Sequence, residues 1–230
     1  MASAVDRVLD GLIVSCQPVI GGPMDRTDIV VGFALAAEAG GASALRIEGI
    51  TNVRAVRAAT ALPIIGLVKR AEPGTRVFIT PLLDDVADLV GAGADIIAFD
   101  ATLRPRPVPV PTLIEKIHAA GRQSMADCAS FADAAAAVDA GAAVIGTTLS
   151  GYVEGPVPDE PDIDLVRKVA ALKRPIFAEG RYRTTVQVQA ARRAGASAVV
   201  VGSAITRPEH ITGWFVDALR SVRAEIPATL

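Results

Sequence analysis

Histidine and cysteine, which commonly build catalytic and metal sites, are almost missing from this sequence. Its 230 residues include two histidines, His118 and His210, and two cysteines, Cys16 and Cys128. The cysteines lie far apart without metal-ligand spacing, so we expect reduced thiols in a cytoplasmic protein and no metal site. With only two histidines, a Ser-His-Asp triad is not expected either, so any acid–base chemistry must use other residues.

Charge of one sign and long apolar runs are also lacking. The formal net charge is −2, which gives no reason to expect nucleic acid or an anionic membrane as a partner. No apolar run approaches the roughly 18 residues of a membrane span. The stretch "MASAVDRVLDG" contains acidic residues and no apolar segment typical of a signal peptide.

Aromatic residues make up only 4% of the chain, although 51% of it is hydrophobic. The core must therefore consist of alanine, valine, isoleucine and leucine, as in parallel strands covered by helices on both faces. Four segments repeat one pattern, in which a helix ends near a glycine and an apolar strand follows: Gly41, Gly93, Gly141 and Gly195. Glycine commonly closes a helix in this way.

The spacing of these glycines, 52, 48 and 54 residues, leaves room for a second strand in each interval. Apolar runs that fit those places lie at 12–16, 63–68, 122–128 and 174–180. Eight strands that alternate with helical stretches, such as 51–60, 131–140 and 184–194, predict a parallel sheet. We therefore predict an α/β fold, a single-domain (β/α)8 TIM barrel over residues 1–230. The rival, an open doubly wound sheet, usually carries a G-x-G-x-x-G turn that "SCQPVIGG" does not match.

Both ends of the chain are predicted to be helical. Residues 1–10 would form a short helix at the barrel floor, and residues 209–226 a longer helix. An apolar stripe on that longer helix comprises Ile211, Trp214, Phe215, Ala218, Leu219 and Val222. The stripe predicts packing on the barrel or on a second copy, so we expect a homodimer.

Polar residues end the predicted strands, and in this fold the chemistry lies at the carboxyl ends of the strands. The residues are Gln17, Arg46, Glu48, Lys69, Arg70, Asp100, Asp127, Thr147, Thr148, Glu179, Arg181 and Ser203. Three long loops rich in proline or glycine, 17–27, 101–112 and 150–163, also follow strands and should surround the same site.

Small residues after the last two strands predict a phosphate site. Gly180, Gly202 and Ser203 would let backbone N–H groups approach an anion, and a short following helix would offer its amino terminus. This is the common phosphate position in such barrels. Arg207 could add a charge-assisted clamp.

Lys69 is the candidate base because it follows the apolar strand "PIIGLV". Burial and a neighbouring cation, Arg46 or Arg70, would lower its pKa. Such a lysine can remove a proton next to a carbonyl or form a Schiff base, and the residues leave both open. Since side chains alternate along a strand, Lys69 should face the barrel mouth and Arg70 should point away.

Several motifs together resemble the N-acylglucosamine-6-phosphate 2-epimerases, also called N-acetylmannosamine-6-phosphate 2-epimerases. They include "GLIVSCQP" (11–18), "PIIGLVKR" (63–70), "IGTTLSGY" (145–152), "AEGRY" (178–182) and "VVVGSAITRPEHI" (199–211). The similarity runs from about residue 11 to 220. It implies a TIM barrel of the ribulose-phosphate-binding type that interconverts the two 6-phosphosugars in amino-sugar and sialic-acid catabolism, with no cofactor or metal.

The resemblance also implies residue roles. Lys69 would remove and return the C2 proton, and Glu179 would help to open the ring or position hydroxyls. The implied substrate-binding residues are Gln17, Arg46, Asp127, Thr147 and Tyr152, and the implied phosphate-binding residues are Gly180, Arg181, Gly202, Ser203 and Arg207. Ala71 and Arg183 depart from the family pattern, which puts loop contacts in doubt.

Two other functions stay open. One is a phosphosugar aldolase or isomerase on the same barrel with Lys69 as a Schiff base. The other is a sugar-phosphate-binding protein without turnover, against which the complete set of polar strand ends argues.

Overall fold

The computed structural model describes residues 3–225. It contains eight strands: β1 Leu12–Ser15, β2 Ala44–Glu48, β3 Ile64–Leu67, β4 Ile96–Asp100, β5 Gln123–Asp127, β6 Val144–Gly146, β7 Ile176–Glu179 and β8 Ala198–Val201. All neighbours pair in parallel and in chain order, and β8 pairs with β1, for example Leu12 beside Val199. The predicted closed barrel is confirmed, and the open sheet is wrong.

Helices follow the strands and cover the outside of the barrel. They are α1 Thr27–Ala39, α2 Ile50–Ala59, α3 Leu83–Ala92, α4 Val110–Ala119, α5 Phe131–Asp139, α6 Ile163–Val169, α7 Thr185–Arg193, α8 Ser203–Thr206 and α9 Pro208–Glu225. None of the helices within residues 3–225 is both long enough and apolar enough to cross a membrane.

The four repeat glycines close helices, as the pattern predicts. Gly41, Gly93, Gly141 and Gly195 have φ values of 89°, 97°, 92° and 110°, a region that side chains rarely adopt. At Gly93 a Cβ would also lie 2.7 Å from Cγ of Arg57. Each chain reversal therefore depends on glycine, which explains the repeat.

Side chains that point into the barrel pack its amino end. We call this set the floor cluster: Val5, Val8, Ile13, Ala44, Ile65, Ile96, Val144, Phe177 and Ala198. A separate layer of apolar residues lies between the sheet and the helices. Cys16 and Cys128 belong to that outer layer and are free thiols.

The predicted helix over 1–10 is wrong for the described part of that range. Residues 4–10 form consecutive turns. The backbone N–H of Val5 donates to Oε1 of Gln123 (2.7 Å), and that of Asp10 donates to the carbonyl of Ser197 (2.7 Å). These contacts with the amino ends of the strands hold Val5 and Val8 inside the barrel, so the segment closes the floor as expected.

Helix α9 confirms the predicted carboxyl-terminal helix over 209–225, and residue 226 lies outside the described residues. Most of its apolar stripe does not pack on the barrel: Phe215 is 70% exposed and Leu219 74% exposed. Trp214 is half-buried. The guanidinium of Arg183 lies 4.7 Å from the centre of the Trp214 ring, which ties the helix to the loop after β7.

Candidate active site

A cavity of about 370 Å³ opens at the carboxyl ends of the strands. Ten of the predicted site residues line it: Gln17, Arg46, Lys69, Tyr152, Glu179, Gly180, Arg181, Gly202, Ser203 and Arg207. Asp127 and Thr147 lie behind its wall and are buried. The lining includes Tyr152 from the predicted loop 150–163 and none of the described residues 101–112.

The alternation of side chains along each strand places the polar groups. Ala44 on β2 and Phe177 on β7 belong to the floor cluster, and Arg46 and Glu179 follow two residues later. Because side chains two apart share a face of the sheet, the later residues also point into the barrel. The same strands thus build an apolar floor and a charged mouth.

Arg46 and Asp127 form a buried ion pair beneath the cavity. Their side chains are 1% and 0% exposed, and the guanidinium contacts both carboxylate oxygens, at 2.6 and 3.3 Å. Burial alone would lower the pKa of Arg46, but the charges of Asp127 and Glu179 raise it overall. Arg46 therefore stays charged.

Glu179 lies next to this pair. One of its oxygens, Oε2, is 3.2 Å from Nε of Arg46, yet Nε makes no aligned hydrogen bond with any described residue. Burial raises the pKa of Glu179, and the charge of Asp127 adds to the rise. The charge of Arg46, a hydrogen bond donated by Thr148 and the charge of Lys69 oppose it. The protonation equilibrium of this carboxyl is thus shifted toward the protonated form.

The pKa of Lys69 shifts in the opposite direction, toward the neutral amine. Its pKa is lowered, first by burial and then by the charge of Arg46, while Glu179 opposes the change and Arg207 adds to it. Its Nζ donates a hydrogen bond to Oε1 of Gln17 at 2.7 Å. The predicted neighbouring cation is therefore Arg46, joined by Arg207, and Arg70 is not among the causes.

Arg70 points away from the cavity, as the alternation predicts. Its guanidinium pairs with Glu72 (2.7 Å) and with Asp85 (2.9 Å) at the start of α3. The segment after it folds back, so that Ile79 forms an antiparallel bridge with Lys69. Phe78 and Ile79 then line the cavity and bring apolar surface to the lysine.

Thr147 and Thr148 have different surroundings. The Thr147 hydroxyl donates to the carbonyl of Glu179 (2.9 Å) and accepts from its N–H (3.0 Å). It therefore joins β6 to β7 and does not reach the cavity, whereas the neighbouring Thr148 does. The sequence-based prediction named Thr147 as a substrate-binding residue, whereas its neighbour Thr148 is the threonine that lines the cavity.

The glycines after β7 and β8 keep one wall of the cavity open. Gly180 has φ 115°, and a Cβ at Gly202 would lie 3.3 Å from Cβ of Ser15. Arg207 lines this wall, and its Nε donates to the carbonyl of Gln17 (2.7 Å). The remaining guanidinium nitrogens leave a cation beside the two glycines.

Arg181 holds the loop after β6 rather than standing free. Its guanidinium donates to the carbonyls of Ser150 and Glu160 and lies 5.2 Å from the centre of the Tyr152 ring. Arg183, which departs from the family pattern, lines the cavity together with Trp214. Trp214 was predicted only as a packing residue, and no periodicity in the sequence marks it as part of a site.

Comparison with known proteins identifies the family. A family model described as "Putative N-acetylmannosamine-6-phosphate epimerase" matches residues 30–221. The chain belongs to this family. Its fold is also that of an epimerase structure titled as the N-acetylmannosamine-6-phosphate 2-epimerase from Clostridium perfringens. That structure has a TM-score of 0.92 and 36% identity over 94% of this chain and 96% of that chain.

Relatives of this epimerase family member include proteins of different length. A Brucella melitensis protein named "Bifunctional enzyme NanE/NanK" is 56% identical over 218 residues, which cover 94% of this chain and 42% of the Brucella protein. The chain thus spans less than half of that relative. A Yersinia pseudotuberculosis protein, "Putative N-acetylmannosamine-6-phosphate 2-epimerase", is 52% identical over 95% of this chain and 94% of its own length.

A more distant match shows the fold alone. Thiamine phosphate pyrophosphorylase from Pyrococcus furiosus has a TM-score of 0.59 and 16% identity over 88% of this chain.

Proposed function

We propose that this protein interconverts N-acetylmannosamine 6-phosphate and N-acetylglucosamine 6-phosphate, with Lys69 as the base. The observation that carries the proposal is that Lys69 and Glu179 line the same cavity at the carboxyl ends of the strands, with the pKa of Lys69 lowered and that of Glu179 raised. A lysine with a lowered pKa and a carboxyl with a raised pKa are suited to act as base and acid. Family membership supplies the substrate.

In the open-chain sugar, C2 lies next to the C1 aldehyde. Lys69 takes the C2 proton, the electron pair of that C–H bond moves into a C1–C2 double bond, and negative charge forms on O1. Return of the proton from the lysine to the other face of C2 gives the epimer. Each step is reversible, and no oxidant or cofactor enters the balance.

The charge that forms on O1 needs a fixed donor. Arg46 lines the cavity, and its Nε is a buried donor that makes no aligned hydrogen bond with any described residue. Gln17 is less free, because its amide already contacts Lys69 and Ser15. Arg46 is therefore our main candidate for stabilising the oxyanion, and donors placed before the reaction contribute most to such steps.

The phosphate is assigned to the opposite wall. Gly180 and Gly202 allow an anion to approach the backbone, Ser203 adds a hydroxyl, and Arg207 adds positive charge. Arg181 would act there through the loop it holds. Glu179 would help to open the sugar ring, since a protonated carboxyl can give its proton to the ring oxygen.

Proton NMR in D₂O tests the activity directly. Incubation with N-acetylmannosamine 6-phosphate should yield N-acetylglucosamine 6-phosphate carrying deuterium at C2. Deuterium at C2 without epimer would point to a different sugar or acyl group. Folded protein that causes no exchange would contradict the proposal.

The lowered pKa of Lys69 also suits a Schiff-base enzyme, since a neutral amine is the nucleophile in that chemistry. Borohydride treatment in the presence of substrate separates the two. A covalent adduct on Lys69 would favour the aldolase or isomerase, and an unmodified lysine favours the epimerase.

We also propose that a second copy of the chain covers α9, forming a homodimer. The support is the exposed apolar face of Phe215, Leu219 and Val222, which are 70, 74 and 52% exposed. Large exposed apolar patches commonly mark interfaces. Sedimentation should show a dimer that Phe215→Asp with Leu219→Asp converts to monomer; an unchanged mass would contradict it. A cytoplasmic place in sialic-acid catabolism rests on the family resemblance alone.

A further inference from the structure

Thr148 stands between two carboxyl groups. Its Oγ1 is 2.6 Å from Oδ1 of Asp127 and 3.1 Å from Oε2 of Glu179. The first distance is typical of a hydroxyl hydrogen bond, and the second is slightly longer than usual. A threonine hydroxyl has one hydrogen to donate, so Thr148 can donate a well-aligned hydrogen bond to only one of the two oxygens. The other contact is a hydrogen bond only if the carboxyl oxygen carries a proton.

The geometry favours donation to Asp127. The 2.6 Å contact has the length of a hydroxyl bonded to an ionised oxygen. Asp127 also accepts two hydrogen bonds from the guanidinium of Arg46, which stabilise its ionised form. The lone pairs of Thr148 then face Oε2 of Glu179, where a protonated carboxyl can donate a hydrogen bond and a carboxylate cannot. The same oxygen lies 3.2 Å from Nε of Arg46, but that nitrogen makes no aligned hydrogen bond to it.

We propose that Thr148 is a positioning residue that holds a proton on Oε2 of Glu179 and so keeps this side chain in its acid form. The proposal rests on the epimerase function proposed above. It is an arrangement of four groups. Arg46 fixes the charge of Asp127, Asp127 fixes the direction of the Thr148 hydroxyl, and the hydroxyl fixes the protonated oxygen of Glu179.

The consequence for catalysis passes to Lys69. A negative charge on Glu179 would stabilise the ammonium form of Lys69 and work against its action as a base. A neutral Glu179 leaves the amine free to take a proton. The charged and titratable groups around Glu179 are Arg46 from β2, Lys69 after β3 and Asp127 from β5. Thr148 is the neutral group that links Asp127 to Glu179.

The opposite arrangement makes the opposite prediction. If the hydroxyl donates to Glu179, it stabilises the carboxylate and lowers the pKa of Glu179, so its removal should raise that pKa. In the proposed arrangement its removal should lower that pKa. The sign of the shift therefore decides between the two.

The experiment is an infrared titration of the full-length protein without substrate. The carbonyl band of the protonated Glu179 carboxyl is identified by its loss in Glu179→Gln. In Thr148→Val the midpoint of this band should fall by roughly half to one pH unit, as expected for the loss of one ordinary hydrogen bond. An unchanged or higher midpoint, or a wild-type spectrum without the band, would overturn the proposal.

Two variants act as controls. Thr148→Ser keeps the hydroxyl and should keep the wild-type midpoint. Thr147→Val removes the neighbouring hydroxyl, which contacts only the backbone of Glu179, so it should lower the melting temperature and leave the midpoint in place. If Thr148→Val does not fold, Thr148→Ala takes its place in the comparison with serine.

Deuterium exchange at C2 provides the second readout. The rise of its rate with pH should move to higher pH in Thr148→Val and return in Thr148→Ser. The two failures are distinguishable. If the proposed function is wrong, wild-type protein will show no deuterium exchange at C2, whatever the infrared midpoint does in Thr148→Val. If the proposal about Thr148 is wrong, wild-type exchange will be normal and Thr148→Val will not lower the infrared midpoint.

Discussion

The two ends of the barrel use the same strands with opposite chemistry. At the amino end, β3 contributes Ile65 to the floor cluster, and four residues later the chain presents Lys69 to the cavity. On β5, Met125 packs inside the barrel and Asp127 follows it as a buried anion. One or two steps of alternation separate a packed core from a charged site.

The difference shows that apolar packing stabilises one end of the barrel and interactions between charges stabilise the other. The floor cluster consists of apolar contacts that depend on volume, so its residues should control stability. The mouth contains buried charges, and their contribution to the free energy of folding depends on their partners, because burying an ionised group destabilises the protein unless the group is paired. Changes at the two ends should therefore have separable effects on folding and on catalysis.

The largest effect is expected at Lys69. Lys69→Met preserves most of the apolar stem and removes the base, so the rate of C2 exchange should fall by about 10²–10⁴-fold, with the cooperative unfolding transition retained. The NMR exchange assay measures the rate. Lys116→Met, on the exposed face of α4, is the matched control. Near-normal exchange in Lys69→Met would remove the assignment.

Asp127→Asn should be the most destabilising change at the mouth. It leaves Arg46 buried without its counter-charge, and breaking a buried pair in this way typically costs about 3–5 kcal/mol. Urea denaturation gives the free energy of unfolding. Replacing both partners, as in Arg46→Met with Asp127→Leu, should recover part of that loss while the protein stays inactive. A stable single variant would show that the pair is not coupled as described.

At the floor, Ile65→Ala should lower the free energy of unfolding by about 2–5 kcal/mol, since it opens a cavity in a fully buried position. Below the unfolding transition, the pH dependence of C2 exchange should match that of the wild-type protein. A changed pH profile would mean that the two ends are not independent, contrary to the comparison above.

The smallest effect is expected at Gln17. Its carbonyl oxygen accepts a hydrogen bond from Lys69 and so favours the ammonium form. Gln17→Leu should lower the pKa of Lys69 further, and the rise of the exchange rate with pH should move down by about one unit. A move to higher pH would show that Gln17 stabilises the neutral amine instead.

Much of the fold could be predicted from the sequence because its signals are local. Glycines such as Gly41 and Gly195 mark helix ends by their need for positive φ, and apolar runs mark buried strands. The ends of those runs predicted which polar residues meet at the mouth of the barrel. Simple alternation predicted that Lys69 faces inward and Arg70 outward. These predictions needed no knowledge of distant contacts.

The rest depended on such contacts. Both threonines follow strand β6, which has three residues. Alternation in the sequence shows that Thr147 and Thr148 face opposite sides, but not which of them faces the cavity. Ile79 reaches Lys69 because the chain folds back. Residues 4–10 form turns because their backbone bonds to Gln123 and Ser197, which are remote in sequence.

The pairing of β8 with β1 also bears on how the protein can form. This seam joins residues near opposite ends of the chain, such as Leu12 and Val199, and contacts of large sequence separation slow folding. During synthesis, β1 must wait with an unpaired edge until β8 emerges from the ribosome. Once the ring closes, the sheet has no edge on which another chain could add a strand.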